Sequence, residues 1–401
     1  MHRIAISGLV ALAALFGGAM PASAASVPAG ASGGVAVGIV LSGQVSCGSA
    51  KTCLAIGVTL SANSANTTAE SWNGTTWKSV PVHGPKGASY VGLSGVSCQS
   101  RAYCLVTGEY LISGQSGGFR PFALTWNGTS LRPTPAPPLP KGTTSGSLGG
   151  VSCVAVKRCV AVGTSFGNSA EAFVETWNGA KWSLHVPPNP AGSAFLQAGD
   201  VSCLSLTRCV VAGETVSGTT ASTGVLLAWW NGKTLTPKKV PLPAGTSNPV
   251  MAGVSCASAA SCAAVGDEIN VSPSGSTVTG FAFTEVWNGA AWKVTKIARP
   301  KGTSASFLFG VSCPVARHCV AVGGAGSGNT GHATAMSWNG KTWAAQHVPA
   351  PAKGLSDGFE GVSCTSPAHC VADGSIGPPS GKTQRLLSGL WNGTAWKLAA
   401  H

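Results

Sequence analysis

The stretch GVSCVAVKRCVAVG, residues 150–163, sets Cys153 and Cys159 six positions apart, with the basic pair Lys157–Arg158 just before the second thiol. Thiols so spaced could hold a metal, exchange electrons or close a disulfide. The pattern recurs seven times, as Cys47/Cys53, Cys98/Cys104, Cys153/Cys159, Cys203/Cys209, Cys256/Cys262, Cys313/Cys319 and Cys364/Cys370, and it uses all fourteen cysteines. Zinc needs clustered Cys and His. His318 and His369 do precede a cysteine, but the other repeats have Thr52, Tyr103, Arg158, Arg208 and Ser261 there. The Cys-x-x-Cys of a thioredoxin-type couple is absent. An even cysteine count in an exported chain favours disulfides, and closing so short a ring stabilises by roughly 2 kcal/mol per bridge. No metal and no cofactor is expected.

Carboxylates are the other groups able to do chemistry. Glycine stands four residues after the second cysteine of every repeat, and Glu109, Glu214 and Asp267 follow it directly in repeats two, four and five. Asp200 replaces the glycine that precedes Val-Ser-Cys in most repeats, and Asp373 fills a slot that is Ile56, Val162, Val265 or Val322 elsewhere. With Cys203 opposite Cys209, Asp200 falls opposite Ala212 and diagonal to Glu214, where two carboxylates could bind a cation or exchange protons. The plain alternative for Glu109, Glu214 and Asp267 is an exposed strand end. Lys86, Lys141, Lys301 and Lys353 each precede a glycine; they are solvated loop lysines or a positive rim for an anionic glycan. Glu70, Glu175 and Glu285 lie two residues before a tryptophan and suggest the paired acids of a glycosidase, but they occupy equivalent positions in different repeats and cannot converge. Gly-x-Ser-x-Gly around Ser165 and Ser356 lacks the strand-to-helix elbow its chemistry requires. No catalytic set is therefore assigned.

These side chains must be positioned by a repeat. Trp-Asn-Gly also recurs seven times, at Trp72, Trp126, Trp177, Trp230, Trp287, Trp338 and Trp391, alternating with the cysteine pairs at a period of 50 to 57 residues. Each repeat holds four strand-like pieces, in the third LGGVSC, CVAVG, EAFVETW and WSLHVP. Asn-Gly between the last two predicts a hairpin with a type I′ turn. The second tryptophan of Trp-x4-Trp is Leu131 and Leu235 in repeats two and four, which marks an apolar packing slot rather than a sugar platform. The whole predicts an all-β chain: a seven-bladed β-propeller with four antiparallel strands per blade and seven intra-blade disulfides. Blades start near 41, 92, 147, 197, 250, 307 and 358 and run to 401, and the first and last are expected to close from consecutive residues, without strand exchange.

The chain resembles secreted seven-bladed propellers with Cys-x5-Cys and Trp-Asn-Gly in each blade. It lacks the Ser-x-Asp-x-Gly-x-x-Trp box of sialidases, the Trp-Asp ending of WD repeats and the kelch double glycine, so the resemblance carries no active-site residues with it.

Residues 1–24 read as a signal peptide: a basic start at Arg3, an apolar core and Ala22-Ser23-Ala24 for cleavage. Residues 25–40 form an N-terminal segment. A secreted, extracellular monomer with no membrane span after cleavage is expected. The net charge of +13 is scattered without a basic run, which argues against nucleic acid and for anionic surfaces. The second-Cys-to-Trp interval varies from 18 to 25 residues, while the other intervals are constant to within one residue. The loop joining strands two and three therefore varies most, reaching its longest form at residues 267–280. One end of the propeller thus carries the variation, where binding is expected. The expected function is an exported binding module for a glycan, cell-wall polymer or extracellular protein. The alternatives are a polysaccharide hydrolase or lyase using Asp200, Glu214 and Asp373, and a passive surface protein.

Overall fold

The computed structural model describes residues 44–61, 64–112, 118–167, 170–188, 193–217, 223–272, 278–328, 330–350, 352–379 and 384–400. The expected signal peptide, the N-terminal segment and the tips of several variable loops lie outside these residues. The described chain contains strands and no helix, so no helix in it is long and apolar enough to cross a membrane.

The strands form seven antiparallel four-stranded blades in chain order. Blade three is Ser145–Ala155, Arg158–Phe166, Ala170–Trp177 and Trp182–His185. Blades three and four share one sheet through a single parallel bridge, Ala170 to Phe195. Blade one (Gln44–Ser49 to Trp77–Val80) and blade seven (Ser356–Ser366 to Trp396–Ala400) are each built from consecutive strands. The ring therefore closes by packing the first strand of blade seven against that of blade one.

All seven expected disulfides form between strands one and two: Cys47–Cys53, Cys98–Cys104, Cys153–Cys159, Cys203–Cys209, Cys256–Cys262, Cys313–Cys319 and Cys364–Cys370, with Cα atoms from 3.9 to 4.1 Å apart. None of the fourteen is a free thiol. The second member of every pair is buried in the blade: Cys53, Cys104, Cys159, Cys209, Cys262, Cys319 and Cys370 are at most 6% exposed. The cause is the pleat, which turns the start of strand two toward the neighbouring blade, so that Cys104 packs with Leu54 of blade one and Cys262 with Val210 of blade four. These bridges are staples between strands one and two, with the second sulfur of each turned into the core.

Just above the disulfide the first strand carries a bulge, as between Leu93 and Gly95 or Ala198 and Asp200. The glycine four residues after the second cysteine faces it. A Cβ on Gly108, Gly213 or Gly323 would sit 1.9 to 2.0 Å from a first-strand carbonyl oxygen, which explains why no other residue fits.

The Trp-Asn-Gly loop corrects the expected type I′ turn. Only the glycine has positive φ, from 92° to 99°. Trp72 pairs with Trp77 and Trp177 with Trp182, leaving four loop residues where a type I′ turn holds two. Asparagine accepts two backbone N–H bonds instead: Asn178 Oδ1 takes those of Ala180 and Lys181 at 2.9 Å. The tryptophans pack as expected, with Trp177 and Trp182 rings 5.0 Å apart and both buried. The first indole N–H often donates to the adjoining disulfide turn, as Trp230 does to the Leu206 carbonyl.

The inner strands are tied by a contact the sequence hides. In every blade the cysteine N–H of Val-Ser-Cys donates to the serine hydroxyl of the preceding blade. Cys98 donates to Ser46, Cys153 to Ser97, Cys203 to Ser152, Cys256 to Ser202, Cys313 to Ser255, Cys364 to Ser312 and Cys47 to Ser363, all at 2.9 to 3.0 Å. The last bond closes the circle. Replacing Ser152 with Ala leaves the half-buried Cys203 N–H without a partner and should destabilise by about 1–3 kcal/mol. Urea unfolding checks this, with exposed Ser183→Ala as the control expected within about 0.5 kcal/mol of the parent.

Candidate functional site

None of the twelve acidic residues is exposed, whereas every described Lys and Arg is exposed except half-buried Arg120. Alternation along the second strand explains where the acids go. Val210 and Ala212 pack against Met251 and Val254 of blade five, and Glu214 continues that face. Val265 packs against Leu308 and Ala321 of blade six, and Asp267 follows it. Thr107 donates to the Gly149 carbonyl of blade three, with Glu109 next on that face. Glu214 and Asp267 are thus buried and Glu109 half-buried. They are inter-blade residues, not exposed strand ends.

Asp267 Oδ1 accepts the Leu308 N–H at 2.8 Å, while its Oδ2 has no partner. Asp373 faces blade one beside the packed Val371; neither of its oxygens has a well-formed hydrogen bond. Asp200 is half-buried and bridges blades: Oδ1 accepts its neighbour Val201 N–H at 2.8 Å and Oδ2 the Val254 N–H of blade five at 2.9 Å. A Cβ on Gly150 would lie 2.6 Å from Asp200 Oδ1, so the Asp200 carboxyl fits because its neighbour in blade three is glycine. Asp200 and Glu214 share blade four. Asp373 turns into a different interface, three blades round. The three acids named for hydrolysis are therefore not gathered on one pocket.

Three further acids are buried: Glu175 and Glu285, set aside in the sequence as unable to converge, and Asp357, which no motif marked. Glu175 and Glu285 are fully buried, with all four carboxylate oxygens unpartnered; the residue type alone gave no sign that the slot before Trp turns inward. Asp357 accepts the Ala333 N–H of blade six at 3.1 Å, with His332 Nδ1 3.7 Å away. Burial pushes Glu175, Glu214 and Glu285 up to about 8, Glu109 to about 7 and Asp200 to about 6. In Asp200 the two backbone bonds hold the rise back. Asp267 and Asp373 rise well above the ordinary value, again through burial, to which Glu360 adds repulsion at Asp373.

The two ends of the ring differ as the intervals imply. Disulfide turns and Trp-Asn-Gly loops meet at one end, where a Cβ on Gly179 would strike the Lys157 side chain at 2.7 Å. Inter-blade and strand-two-to-three loops meet at the other: Thr144 N–H bonds to Phe166 O, and Glu268 accepts bonds from Ser247 and Asn248. Lys86, Lys141, Lys301 and Lys353 are exposed at this loop end. Each precedes a glycine with φ of 82° to 84°, and bonds such as Thr143 N–H to Pro140 O close the turn; this is type II geometry with lysine at its first central position. In blade five a groove of about 480 Å³ is lined by Asn270, Thr279, Gly280, Phe281, Lys296, Ile297, Ala298 and Arg299. Lys296 Nζ stands 3.5 Å over the Phe281 ring, a cation–π contact, and Arg299 bonds the Ser304 carbonyl. Among the described residues no cluster of His, Cys, Asp and Glu is suited to a metal ion.

No family model matches the chain, and no curated protein does. Solved propellers resemble its fold. An ulvan lyase aligns at a TM-score of 0.55 with 9% identity, covering 86% of this chain and 91% of that one. The same kind of lyase bound to -[GlcA(1-4)Rha3S]- aligns at 0.53, again with 9% identity and the same coverage. The SapL1 lectin in complex with alpha methyl fucoside aligns at 0.45 with 11% identity, covering 78% and 96%. At 9% identity the likeness to the lyases shows the fold alone.

The buried acids set a pH dependence. Glu175 and Glu285 have an ordinary value of 4.5 and a folded value of about 8. Between these the folded state keeps protons that the unfolded chain has lost, so stability falls as pH rises through this window. Tm should be highest near pH 4–5 and decline toward pH 8–9, and Glu175→Gln with Glu285→Gln should flatten the decline. A Tm that rises from pH 5 to 8 would contradict this reading.

Proposed function

We propose that this protein is an exported, disulfide-braced propeller that binds an anionic extracellular glycan or cell-wall polymer through its variable-loop end. The observation that carries the proposal is the division of charge: every acid is buried or half-buried, whereas every described Lys and Arg but Arg120 is exposed. A polyanion meeting such a surface finds exposed cations and no exposed carboxylate. Seven disulfides fit the oxidising compartment that export implies.

The groove of blade five gives this general attraction a shaped place. Lys296 and Arg299 supply cations, Asn270 an amide, and Ile297 and Phe281 apolar walls. It lies beside the longest variable loop, as expected of a specificity-bearing end. Outside this chain, the fold's neighbour among the lyases is bound to -[GlcA(1-4)Rha3S]-, an anionic glycan of the kind the surface charge suits.

Glycan arrays and cell-wall pull-downs with the secreted protein test the proposal. Uronate-, sulfate- or phosphate-bearing polymers should be retained, and binding should weaken as salt rises. Lys296→Ser with Arg299→Ser should weaken it at least about fivefold, since each lost contact to an anion is worth about 1 kcal/mol or more. Retention of neutral glycans only, or of none, would overturn it.

A further inference from the structure

The opposite end of the ring has a character of its own. Every disulfide turn there has the same length, and so has every Trp-Asn-Gly loop, because Cys-x5-Cys and the four loop residues after each Trp never vary in number. Equal loops on equivalent blades make a flat face. All fourteen of these turns lie within the described residues.

The face is cationic. Lys51, Arg101, Lys157, Arg158, Arg208 and Arg317 stand in or beside the disulfide turns, all exposed. Lys181, Lys233 and Lys341 stand exposed in the adjoining loops. No acidic side chain is exposed there to oppose them. The face is also apolar in places: Val156, Val315 and Leu204 are exposed by 48%, 45% and 36%. Val156 is at the very tip of its hairpin, between the paired Ala155 and Arg158.

Two of these cations are held in costly backbone. Lys157 and Arg317 have φ of 63° and 67°, a region that L side chains seldom occupy. Five blades avoid this with a serine that caps the turn: Ser49, Ser100, Ser205, Ser258 and Ser366 accept the N–H two residues on. Blades three and six have Ala155 and Val315 in that place. There the capping hydroxyl is lost, the turn goes left-handed, and an exposed aliphatic stands beside a basic residue. The Lys157 and Arg317 stems lie over Gly179 and Gly340 of the neighbouring loop, which fixes where each charge emerges.

We infer that the disulfide-turn end is a docking surface for a bilayer rich in anionic phospholipid. A polysaccharide chain is best held in a groove, whereas a flat face suits a flat partner. Exposed aliphatic tips beside cations match the two layers such a membrane offers, an acidic headgroup plane above an acyl boundary. Each Lys or Arg near an anionic leaflet contributes about 1 kcal/mol, so several together give reversible binding without a membrane span. This surface is distinct from the groove of blade five and does not depend on it.

Vesicle co-sedimentation of the full secreted protein tests the inference, with vesicles of about 30% phosphatidylglycerol in phosphatidylcholine against pure phosphatidylcholine. Binding should require the anionic lipid and fall with salt. Lys157→Ser, Arg158→Ser and Arg208→Ser together should reduce partition at least about tenfold, and Val156→Ser alone about twofold to threefold. Lys86→Ser, Lys141→Ser and Lys301→Ser together, on the loop end, should leave it within about twofold. Retained disulfides and an unchanged Tm establish that each variant is folded. Equal loss from both triple variants, or binding of a soluble polyanion such as heparin without any vesicle binding, would overturn the assignment of this face to a membrane. Glycan-array results are unaffected by either outcome, so failure here leaves the loop-end proposal to its own test.

Discussion

One hydrogen bond, repeated seven times, holds the ring to its geometry: the cysteine N–H of one blade donating to the serine hydroxyl of the blade before. The same cysteine bridges to its partner strand through sulfur. Each therefore joins strand one to strand two covalently and blade to blade through its amide. Val-Ser-Cys is the point where both constraints meet, and the bulge and the close-fitting glycine lie directly above it. A chain with small, glycine-rich strands gains from such joints, because each blade offers limited apolar area of its own.

This ring of close contacts also decides the fate of charge. Where inner strands touch, most blades have glycine, and Asp200 fits with backbone N–H donors to both of its oxygens. Higher along the second strand, Glu214 and Asp267 are swept into blade interfaces by alternation, where burial disfavours their charged forms. The surface that remains is basic at both ends. The loop end adds variation and a groove, and the disulfide end adds flatness and aliphatic tips. One fold thus presents two cationic faces of different shape.

The fold was legible because repetition turned weak local signals into strong ones: seven cysteine pairs and seven Trp-Asn-Gly loops leave little choice of architecture. The roles of single residues were less so. Spacing paired Cys104 with Cys98 and Cys262 with Cys256, but only the packing of adjacent blades shows that the second sulfur of each is sealed from solvent. Ser152 looks like any small strand residue, and its partner Cys203 lies 51 positions away in the next blade. Glu175 shares its motif position with half-buried Glu70, yet only the packing of blade two against it shows that it is sealed. Asn-Gly suggested a two-residue turn, but the pairing of flanking tryptophans set a four-residue loop and gave asparagine a capping task. The lysines Lys86, Lys141, Lys301 and Lys353 were visible as a set, and the structure adds that all four occupy one turn type at one end. The groove of blade five draws its lining from separate strands and loops and could not be read from the chain.

Amide hydrogen exchange at Cys47, Cys98, Cys153, Cys203, Cys256, Cys313 and Cys364 tests the closed ring most directly, since each N–H is spent on the neighbouring blade. If the circle is continuous, all seven exchange slowly and alike, Cys47 and Cys364 at the seam included. Fast exchange at Cys47, with slow exchange at the other six, would show that blades seven and one are not joined as described.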